Sequence, residues 1–322
     1  MSTSSKIEWT EASWNPTRGC TKIGPGCKHC YAETFAERWK GLAGHPYEQG
    51  FLPRLVPESL GLPLTWKRPR RIFVDSMSDL FHESFPYEYI AAVFGVMAAC
   101  PQHTFQVLTK RADRLLAFFG WLDARALATK GVPEWICRAE AARALSDAVL
   151  SERLLTNWIV HGLREEAARW PLSNVWLGVS AEDQQHADER IPALLASPAA
   201  VRFVSAEPLL GEVDLWAFLK GDIRDRSLAA LGEAPTPGLD WVIAGGESGP
   251  GARLTDIQWL RSLRDQCKAA GVPFFLKQLG ARAYESWPDM RIGIPQKSKK
   301  GGDPAEWPED LRNARAFPEV RS

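Results

Sequence analysis

The sequence predicts an α/β fold in which parallel strands form a complete or partial (β/α) barrel, and three observations support this prediction. Short runs rich in β-branched and aromatic residues alternate with amphipathic helical stretches. The chain has 322 residues, of which 45% are hydrophobic, so it can bury a large core. Nearly every predicted strand runs directly into polar residues, and the chemistry of barrel enzymes lies where the strands end.

The predicted strands are spaced as repeated βα units. A short strand leads into Cys20, and the others cover residues 71–74, 104–108, 175–179, 201–204, 241–244 and 273–276. The helix between the last two strands has the clearest ends, because Thr255 and Gln258 form a capping box and Gly271 with Pro273 terminates it. About seven such units fit one barrel better than two separate domains.

Two segments lie outside the repeated units. Residues from about 121 to 170 are rich in Ala, Arg, Glu and Leu with apolar residues at helical spacing, which predicts an inserted helical pair. Residues 281–322 have a loop composition, with several prolines and mixed charges. We therefore expect a barrel over residues 1–280 that contains the helical insertion, and an irregular C-terminal extension over residues 281–322 that packs on it.

Three cysteines near the amino terminus, Cys20, Cys27 and Cys30, favour a metal over a disulfide. The two-residue gap between the last two lets both thiolates bind one iron–sulfur cluster, and the Gly/Pro-rich arm over residues 21–26 lets a third thiolate reach it. Three ligands would leave one iron open for a small molecule. Cys100 and Cys267 fall on apolar helical faces and are predicted to be core thiols.

Composition limits the location and the partners of the chain. The formal net charge is zero, which argues against a non-specific polyanion binder while it allows local basic patches. The sequence opens without an apolar signal segment, and no apolar run approaches the roughly 18 residues of a membrane span. We therefore expect a reduced, cytoplasmic protein that has no membrane partner.

Polar residues follow six of the predicted strands, at residues 75–79, 109–111, 180–183, 205–208, 245–249 and 277–278. Any one of these endings alone is an ordinary strand-to-helix turn with a helix cap. Because the carboxyl ends of barrel strands meet at one face, six of them together predict a polar cavity beside the cysteine run. Such a cavity suits a zwitterionic, hydroxyl-rich ligand.

The motifs at these positions are similar to those of two groups of proteins. The run Cys27-Lys28-His29-Cys30-Tyr31 after a first strand, followed by barrel units, resembles the radical S-adenosylmethionine superfamily. More closely, residues 14–16, 24–33, 107–111, 175–180, 205–209 and 244–249 look like segments of a phage-associated three-cysteine family of unassigned function. The likeness spans about residues 9 to 280.

The resemblance implies a [4Fe–4S] cluster held by Cys20, Cys27 and Cys30, with S-adenosylmethionine on the fourth iron. An external electron donor would reduce the cluster, and cleavage of the cofactor would give a 5′-deoxyadenosyl radical that abstracts hydrogen from the substrate. On this reading the candidate cofactor contacts are Ser76, Ser78, Ser180, Glu182, Glu207, Gly245, Gly246 and Glu247. The candidate catalytic cations, which would hold a carboxylate or phosphate, are Lys110 and Lys277.

A nucleobase, nucleotide or nucleic-acid substrate is favoured slightly over a peptide or a small metabolite. The phage-type resemblance and the aromatic and basic loops support this preference, because modification and repair of nucleic acids both need chemistry at unactivated carbon.

The sequence departs from the superfamily pattern at two places. Six residues separate Cys20 from Cys27, where three are usual in the superfamily. The Gly245-Gly246-Glu247 run follows a late strand, whereas superfamily members carry such a run after the second strand. The second departure leaves the individual cofactor contacts open.

Two functions from other classes also remain open. A zinc-supported module that binds nucleic acid or protein would use the three cysteines with His29 or His45 as the fourth ligand. A hydrolase or lyase barrel would instead use Glu207 and Glu247 as a carboxylate pair, with the cysteines in structural roles.

Overall fold

The computed structural model describes residues 5, 7–145, 148–162, 170–219 and 237–319, and these residues contain a seven-stranded sheet. Within these residues the strands, numbered along the chain, are β1 (Ala12–Trp14), β2 (Thr17–Arg18), β3 (Arg54–Leu55), β4 (Arg71–Val74), β5 (Thr104–Thr109), β6 (Val175–Ser180), β7 (Val201–Ala206), β8 (Trp241–Gly245), β9 (Thr255–Asp256), β10 (Phe274–Gln278), β11 (Ala283–Trp287) and β12 (Met290–Gly293). The helices are α1 (Tyr31–Glu37), α2 (Pro57–Leu60), α3 (Tyr87–Ala98), α4 (Ala112–Thr129), α5 (Pro133–Ala144), α6 (Ala148–Gly162), α7 (Gln184–Leu195) and α8 (Ile257–Ala270).

The sheet order is β1-β4-β5-β6-β7-β8-β10, and the pairs β1–β4, β4–β5, β7–β8 and β8–β10 are parallel. Each predicted strand is present, including the short one that precedes Cys20. The predicted α/β fold with parallel (β/α) units is therefore confirmed. The order begins at β1 and ends at β10, so the sheet is the partial form of the predicted barrel.

The chain divides into two units by its internal contacts. The first consists of Met1–Lys22, Cys30–Leu177 and Ser197–Ala200, and the second of Ile23–His29, Gly178–Ala196 and Val201–Ser322. The boundary passes through β6, and the chain also changes unit twice within the cysteine run. Each unit is described by itself below.

In the first unit, helix α3 follows β4 and is apolar on nearly all of its faces. Its residues from Tyr89 to Ala98 are all buried, as expected for a helix surrounded by protein. Helix α5 packs on α3, and the Arg138 guanidinium donates a hydrogen bond to the Ala98 carbonyl at 3.2 Å. The predicted helical insertion is confirmed: α4 extends into it as far as Thr129, and α5 and α6 provide the rest that the structure describes.

In the second unit, the two long helices among the described residues begin at aspartate caps. The Asp183 carboxylate accepts a hydrogen bond from the His186 amide at 3.0 Å at the start of α7. At the start of α8 the cap is Asp256, which accepts from the Gln258 amide at 3.0 Å. The predicted cap at Thr255 is wrong, because the N-cap is the next residue, Asp256, and Thr255 pairs with Ala283 of β11.

The C-terminal segment contains more regular structure than its composition predicted. Strands β11 and β12 pair in antiparallel fashion, and β11 also pairs with β9. Farther along, Arg315 forms an antiparallel bridge with Phe275 of β10, and the Trp241 indole donates to the Ala316 carbonyl at 2.8 Å. Local composition does not reveal the pairing of β11 with β9 or of Arg315 with Phe275, because β9 and β10 lie outside the C-terminal segment.

Candidate functional site

The candidate residues form two sets, one in each unit. The first unit contains Cys20, Cys30, Ser76, Ser78 and Lys110. The second unit contains Cys27, Ser180, Glu182, Glu207, Gly245, Gly246, Glu247 and Lys277.

The backbone around Cys20 is held by two loops of the first unit. The Cys20 amide donates to the Phe51 carbonyl at 3.2 Å, and the Gly19 amide donates to the Met77 carbonyl at 3.1 Å. Gly19 has φ +76°, and a Cβ there would lie 2.6 Å from the carbonyl oxygen of Phe51. Only glycine satisfies both requirements, so the approach to Cys20 depends on it.

The Cys20 sulfur accepts a hydrogen bond from Arg111, which follows β5. One Nη1 hydrogen of the guanidinium points to the sulfur at 3.4 Å, and the other points to Asp79 Oδ2 at 3.1 Å. Burial lowers the pKa of Arg111, but Asp79 and the Cys20 sulfur outweigh this effect and raise it. A charged guanidinium therefore lies directly against one of the three predicted cluster ligands.

Cys30 stands immediately before helix α1. It is the N-cap residue, and its carbonyl accepts from the Thr34 amide at 3.0 Å and from the Thr34 hydroxyl at 2.9 Å. The Tyr31 hydroxyl donates to the Ser76 carbonyl. The start of α1 is thereby tied to the loop after β4.

Ser76 and Ser78, predicted as cofactor contacts, bind protein atoms in the loop after β4. The Ser76 hydroxyl donates to the Asn15 side-chain carbonyl at 3.2 Å, and the Ser78 hydroxyl donates to the Gly19 carbonyl at 2.7 Å. The loop therefore supports the chain that leads to Cys20, and the cofactor role of the two serines stays a prediction.

Asp75 is the first residue of the same loop, and both its backbone conformation and its burial are unusual for an acidic residue. Its φ is +59°, in the left-handed region that non-glycine residues seldom adopt, and it is 2% exposed. The carboxylate accepts from the Thr17 amide at 3.1 Å and from the Thr17 hydroxyl at 2.9 Å. Burial nevertheless raises the pKa of Asp75 well above its ordinary range. A buried acid in a strained conformation is typical of functional loops.

Lys110, the predicted catalytic cation of this set, follows β5 and precedes Arg111. Its backbone amide donates to Asp79 Oδ2 at 3.1 Å, while Thr109 donates to Oδ1 at 2.7 Å. Asp79 thus fixes the backbone from which both cations project. The Asp79 side chain is only 8% exposed.

In the second unit, Arg253 and Glu247 hold the turn that contains Cys27. This turn is a short 3-10 helix, Pro25–Cys27, and Arg253 donates to the Pro25 carbonyl at 2.9 Å. The Glu247 carboxylate accepts from Arg253 Nη2 at 2.6 Å, from Arg253 Nε at 2.9 Å and from the Arg253 amide at 2.8 Å. Glu247 Oε2 also lies 3.1 Å from Nδ1 of His29.

These contacts lower the pKa of Glu247. Burial raises its pKa, but the hydrogen bonds from Arg253 and His29 are together stronger and hold the pKa at about 2. The carboxylate is therefore ionised throughout the neutral range, and its acceptor sites are directed to protein donors.

Glu182 is fully buried beside the same arm. Arg190 Nη1 donates to Glu182 Oε2 at 2.8 Å and to the Ser180 carbonyl at 2.8 Å. A Cβ at Gly26 would lie 2.6 Å from Cδ of Glu182 and closer still to Cγ and Oε1. Position 26 therefore requires glycine, because the backbone there lies directly against the fixed Glu182 carboxylate. The flexibility of a Gly/Pro-rich arm does not by itself explain this requirement.

Glu207 and Lys277 form an ion pair at the ends of β7 and β10. Lys277 Nζ lies 3.1 Å from Glu207 Oε1, and the Ser205 hydroxyl donates to Glu207 Oε2 at 3.1 Å. Their side chains are 12% and 24% exposed, so both charges are partly accessible. Gly245 lies beside this pair, since a Cβ there would be 2.8 Å from Glu207 Oε1.

Gly246 lies against β10. Its amide donates to the Gln278 carbonyl at 3.1 Å, and its carbonyl accepts from the Gln278 side chain at 2.8 Å.

The six cysteines fall into two chemical classes. Cys20, Cys27 and Cys30 are half-buried thiols outside any disulfide. The other three are fully buried, and burial raises the pKa of Cys100 and of Cys267 to about 12 and raises that of Cys137 as well. Thiols that ligate iron must ionise and be reachable, so the donor chemistry of the first class fits a cluster and that of the second does not.

Within the residues described, His, Cys, Asp and Glu side chains do not form a group of three or more placed to hold a metal ion. The cluster assigned to the cysteine run thus stays a prediction. None of the described helices is long and apolar enough to cross a membrane.

A family model described as a protein of unknown function (DUF5131) matches residues 4–306. The chain belongs to this family. Neither the curated proteins nor the solved structures contain a match. Membership of DUF5131 confirms that the chain belongs to a family of unassigned function, and it brings no activity with it.

The sequence does not point to Arg253, and it indicates Arg111 only as part of a polar strand end. The first lies in a loop, six residues after Glu247, and no local pattern relates it to the distant Pro25. For Arg111 a weak signal existed, because it follows Lys110 directly at the end of a strand. Its contact with Cys20 spans 91 positions of sequence and required the fold.

Proposed function

We propose that this DUF5131 protein is a radical S-adenosylmethionine enzyme whose [4Fe–4S] cluster is held by Cys20, Cys27 and Cys30. The observation that carries the proposal is the division of the cysteines, since the three thiols of the motif are the half-buried ones. The likeness of the motif set to a phage-associated three-cysteine family and to the radical S-adenosylmethionine superfamily supports it.

When bound, the cluster would pass one electron from an external donor to the sulfonium, which breaks the C5′–S bond and gives methionine and a 5′-deoxyadenosyl radical. The share of the protein is to hold the ligands in place. Arg253 and Glu247 fix the turn that contains Cys27, and Arg111 lies against the Cys20 sulfur.

The ion pair of Glu207 and Lys277 supports a role in binding the methionine part of the cofactor. An amino acid zwitterion carries an ammonium and a carboxylate, and this pair offers one partner of opposite charge for each. Glu207 would take the ammonium and Lys277 the carboxylate. Glu182 and Glu247 are less suited to the ammonium, because Arg190 and Arg253 already bind them.

Lys110 and Lys277 are the catalytic cations of this proposal, and a nucleobase, nucleotide or nucleic-acid strand is the substrate class. Lys110 follows β5, and a cation there offers a point charge to a phosphate.

Anaerobic reconstitution tests the cluster. The protein should bind about four irons and four sulfides and show a broad charge-transfer band, as expected for this cluster type. Replacing any one of Cys20, Cys27 and Cys30 by Ala should abolish the band. Cys267→Ala is the matched control, because that thiol is buried in the core and should be dispensable for iron.

Cofactor cleavage tests the enzyme class. Dithionite-reduced protein should convert S-adenosylmethionine to 5′-deoxyadenosine and methionine, slowly even without substrate. Glu207→Gln should weaken cofactor binding in calorimetry and leave the iron content unchanged. An intact cluster that neither binds nor cleaves the cofactor would refute the proposal.

A second candidate is a zinc-supported binding module, and one contact favours it. Nδ1 of His29 lies 3.1 Å from Glu247, and a carboxylate at one ring nitrogen is the usual second-sphere partner of a histidine that ligates zinc through the other. Metal analysis after reconstitution separates the two candidates. One zinc per chain in a colourless protein would support this module.

A further inference from the structure

Arg111 uses all of its hydrogen-bond donors within the first unit. A guanidinium has five N–H groups. Nε donates to Glu83 at 3.0 Å, Nη1 to the Cys20 sulfur at 3.4 Å and to Asp79 at 3.1 Å, and Nη2 to the Thr21 carbonyl at 3.1 Å and its hydroxyl at 3.0 Å. Four oxygen acceptors therefore fix the plane of the guanidinium, and the fifth donor has the sulfur as its acceptor.

The partners of Arg111 are themselves held in place. Asp79 accepts from the Thr109 hydroxyl at 2.7 Å and from the amides of Lys110 and Phe81 at 3.1 Å each. The side chains of Arg111 and Asp79 are each only 8% exposed. Water screens such a pair weakly, so the positive charge acts on the sulfur at close range.

From this geometry we infer that Arg111 is a positioning residue that sets the reduction potential of the cluster through the Cys20 sulfur. The inference rests on the proposed function, since it requires the cluster. Hydrogen bonds to the sulfurs and nearby charge are two of the factors that fix the potential of an iron–sulfur cluster. One electron entering the cluster makes it more negative, so a cationic donor at a ligand sulfur stabilises the reduced form and raises the potential.

A redox titration with dithionite and mediator dyes, followed by absorption and electron paramagnetic resonance, tests the inference. In Arg111→Gln the ratio of reduced to oxidised cluster at a fixed potential should fall about tenfold, which corresponds to a midpoint lower by about 59 mV for one electron. Arg111→Lys keeps the charge but not the planar fork, so its midpoint should lie between those of the wild type and Arg111→Gln.

Arg114→Gln is the matched control. Arg114 lies one turn further along α4 with similar burial, and it donates to the Phe85 carbonyl at 2.6 Å rather than to a thiol. Its midpoint should equal that of the wild type. The double variant Asp79→Asn/Arg111→Gln avoids an uncompensated Asp79 if the single variant folds poorly. Its midpoint should lie below that of Asp79→Asn, which is its reference because the loss of Asp79 also changes the charge near the cluster.

The outcomes separate this inference from the function on which it rests. Wild-type protein that binds no iron would overturn both. A shifted midpoint in a protein that does not cleave S-adenosylmethionine would uphold the role of Arg111 and refute the enzyme class. Equal midpoints in wild type and in Arg111→Gln with full iron content would overturn the inference alone. Loss of iron in every Arg111 variant would also overturn it, because Arg111 would then form the site rather than set its potential.

Discussion

A single methyl group at position 26 should displace the arm that contains Cys27. In Gly26→Ala the new Cβ would lie 2.6 Å from Cδ of Glu182 and closer to Cγ and Oε1, distances that real Cβ atoms do not show. Glu182 has no room to retreat, because it is fully buried and Arg190 holds its other oxygen at 2.8 Å. The arm must therefore move, or the ion pair must break.

The two responses have different energies. Overpacking of a well-packed site costs about 1–3 kcal/mol, whereas breaking a buried ion pair costs about 3–5 kcal/mol. Movement of the arm is the cheaper response, because its residues 21–26 are all exposed or half-buried. We expect Gly26→Ala to lower the free energy of unfolding by about 1–3 kcal/mol. The Cys27 sulfur should shift with the arm, and reconstituted iron should fall below that of the wild type.

Urea unfolding of the metal-free protein and iron analysis after reconstitution measure the two effects. Gly211→Ala is the matched control, since a Cβ there meets nothing within 4 Å. A double-mutant cycle with Glu182→Asp tests the cause, because the shorter acid makes room for the methyl group. The double variant should be more stable than the sum of the single effects predicts. Unfolding energy and iron content in Gly26→Ala equal to those in Gly211→Ala would refute the reasoning.

Two further predictions concern charged residues. Glu247→Gln should lower the unfolding free energy at pH 7 by about 1.5–3 kcal/mol, the range for hydrogen bonds to a charged group. Because the pKa of Glu247 is held at about 2, below its ordinary 4.5, this stabilisation is present above pH 4.5 and is lost as the pH falls toward 2. Urea titrations of wild type and variant should therefore converge in that window, and a constant difference would contradict the assignment. Lys110→Ala should reduce the salt dependence of nucleotide binding by about one phosphate contact while iron content stays the same, as fluorescence titration at several ionic strengths would show. Binding that is indifferent to salt would argue against a phosphate-bearing substrate.

The strands of the fold could be predicted because their signal is local. Val175–Ser180 and Trp241–Gly245 are continuous apolar runs followed by polar residues, and a buried parallel strand has this pattern. The C-terminal strands could not be predicted this way. Met290–Gly293 is exposed along its whole length and pairs with its hairpin partner β11, so its short Met-Arg-Ile-Gly alternation does not mark a buried face.

The predicted polar residues at the strand ends are present, but the sequence could not assign their partners. Ser78 and Glu182 each follow a strand, as predicted. Their partners, Gly19 and Arg190, were not predictable from position. The Gly19 contact spans 59 positions of sequence, and Arg190 lies on a helix whose orientation only the fold determines.

The partners of the three candidate glutamates, Glu182, Glu207 and Glu247, distinguish their roles. Glu182 packs on Gly26 and Glu247 binds Arg253, so both support the arm that contains Cys27. Glu207 pairs with Lys277 and does not contact the arm in any described hydrogen bond. Loss of Glu182 or Glu247 should therefore reduce cluster retention before it reduces cofactor affinity. Loss of Glu207 should do the reverse, because its charge is balanced by a side chain that a zwitterionic ligand can replace.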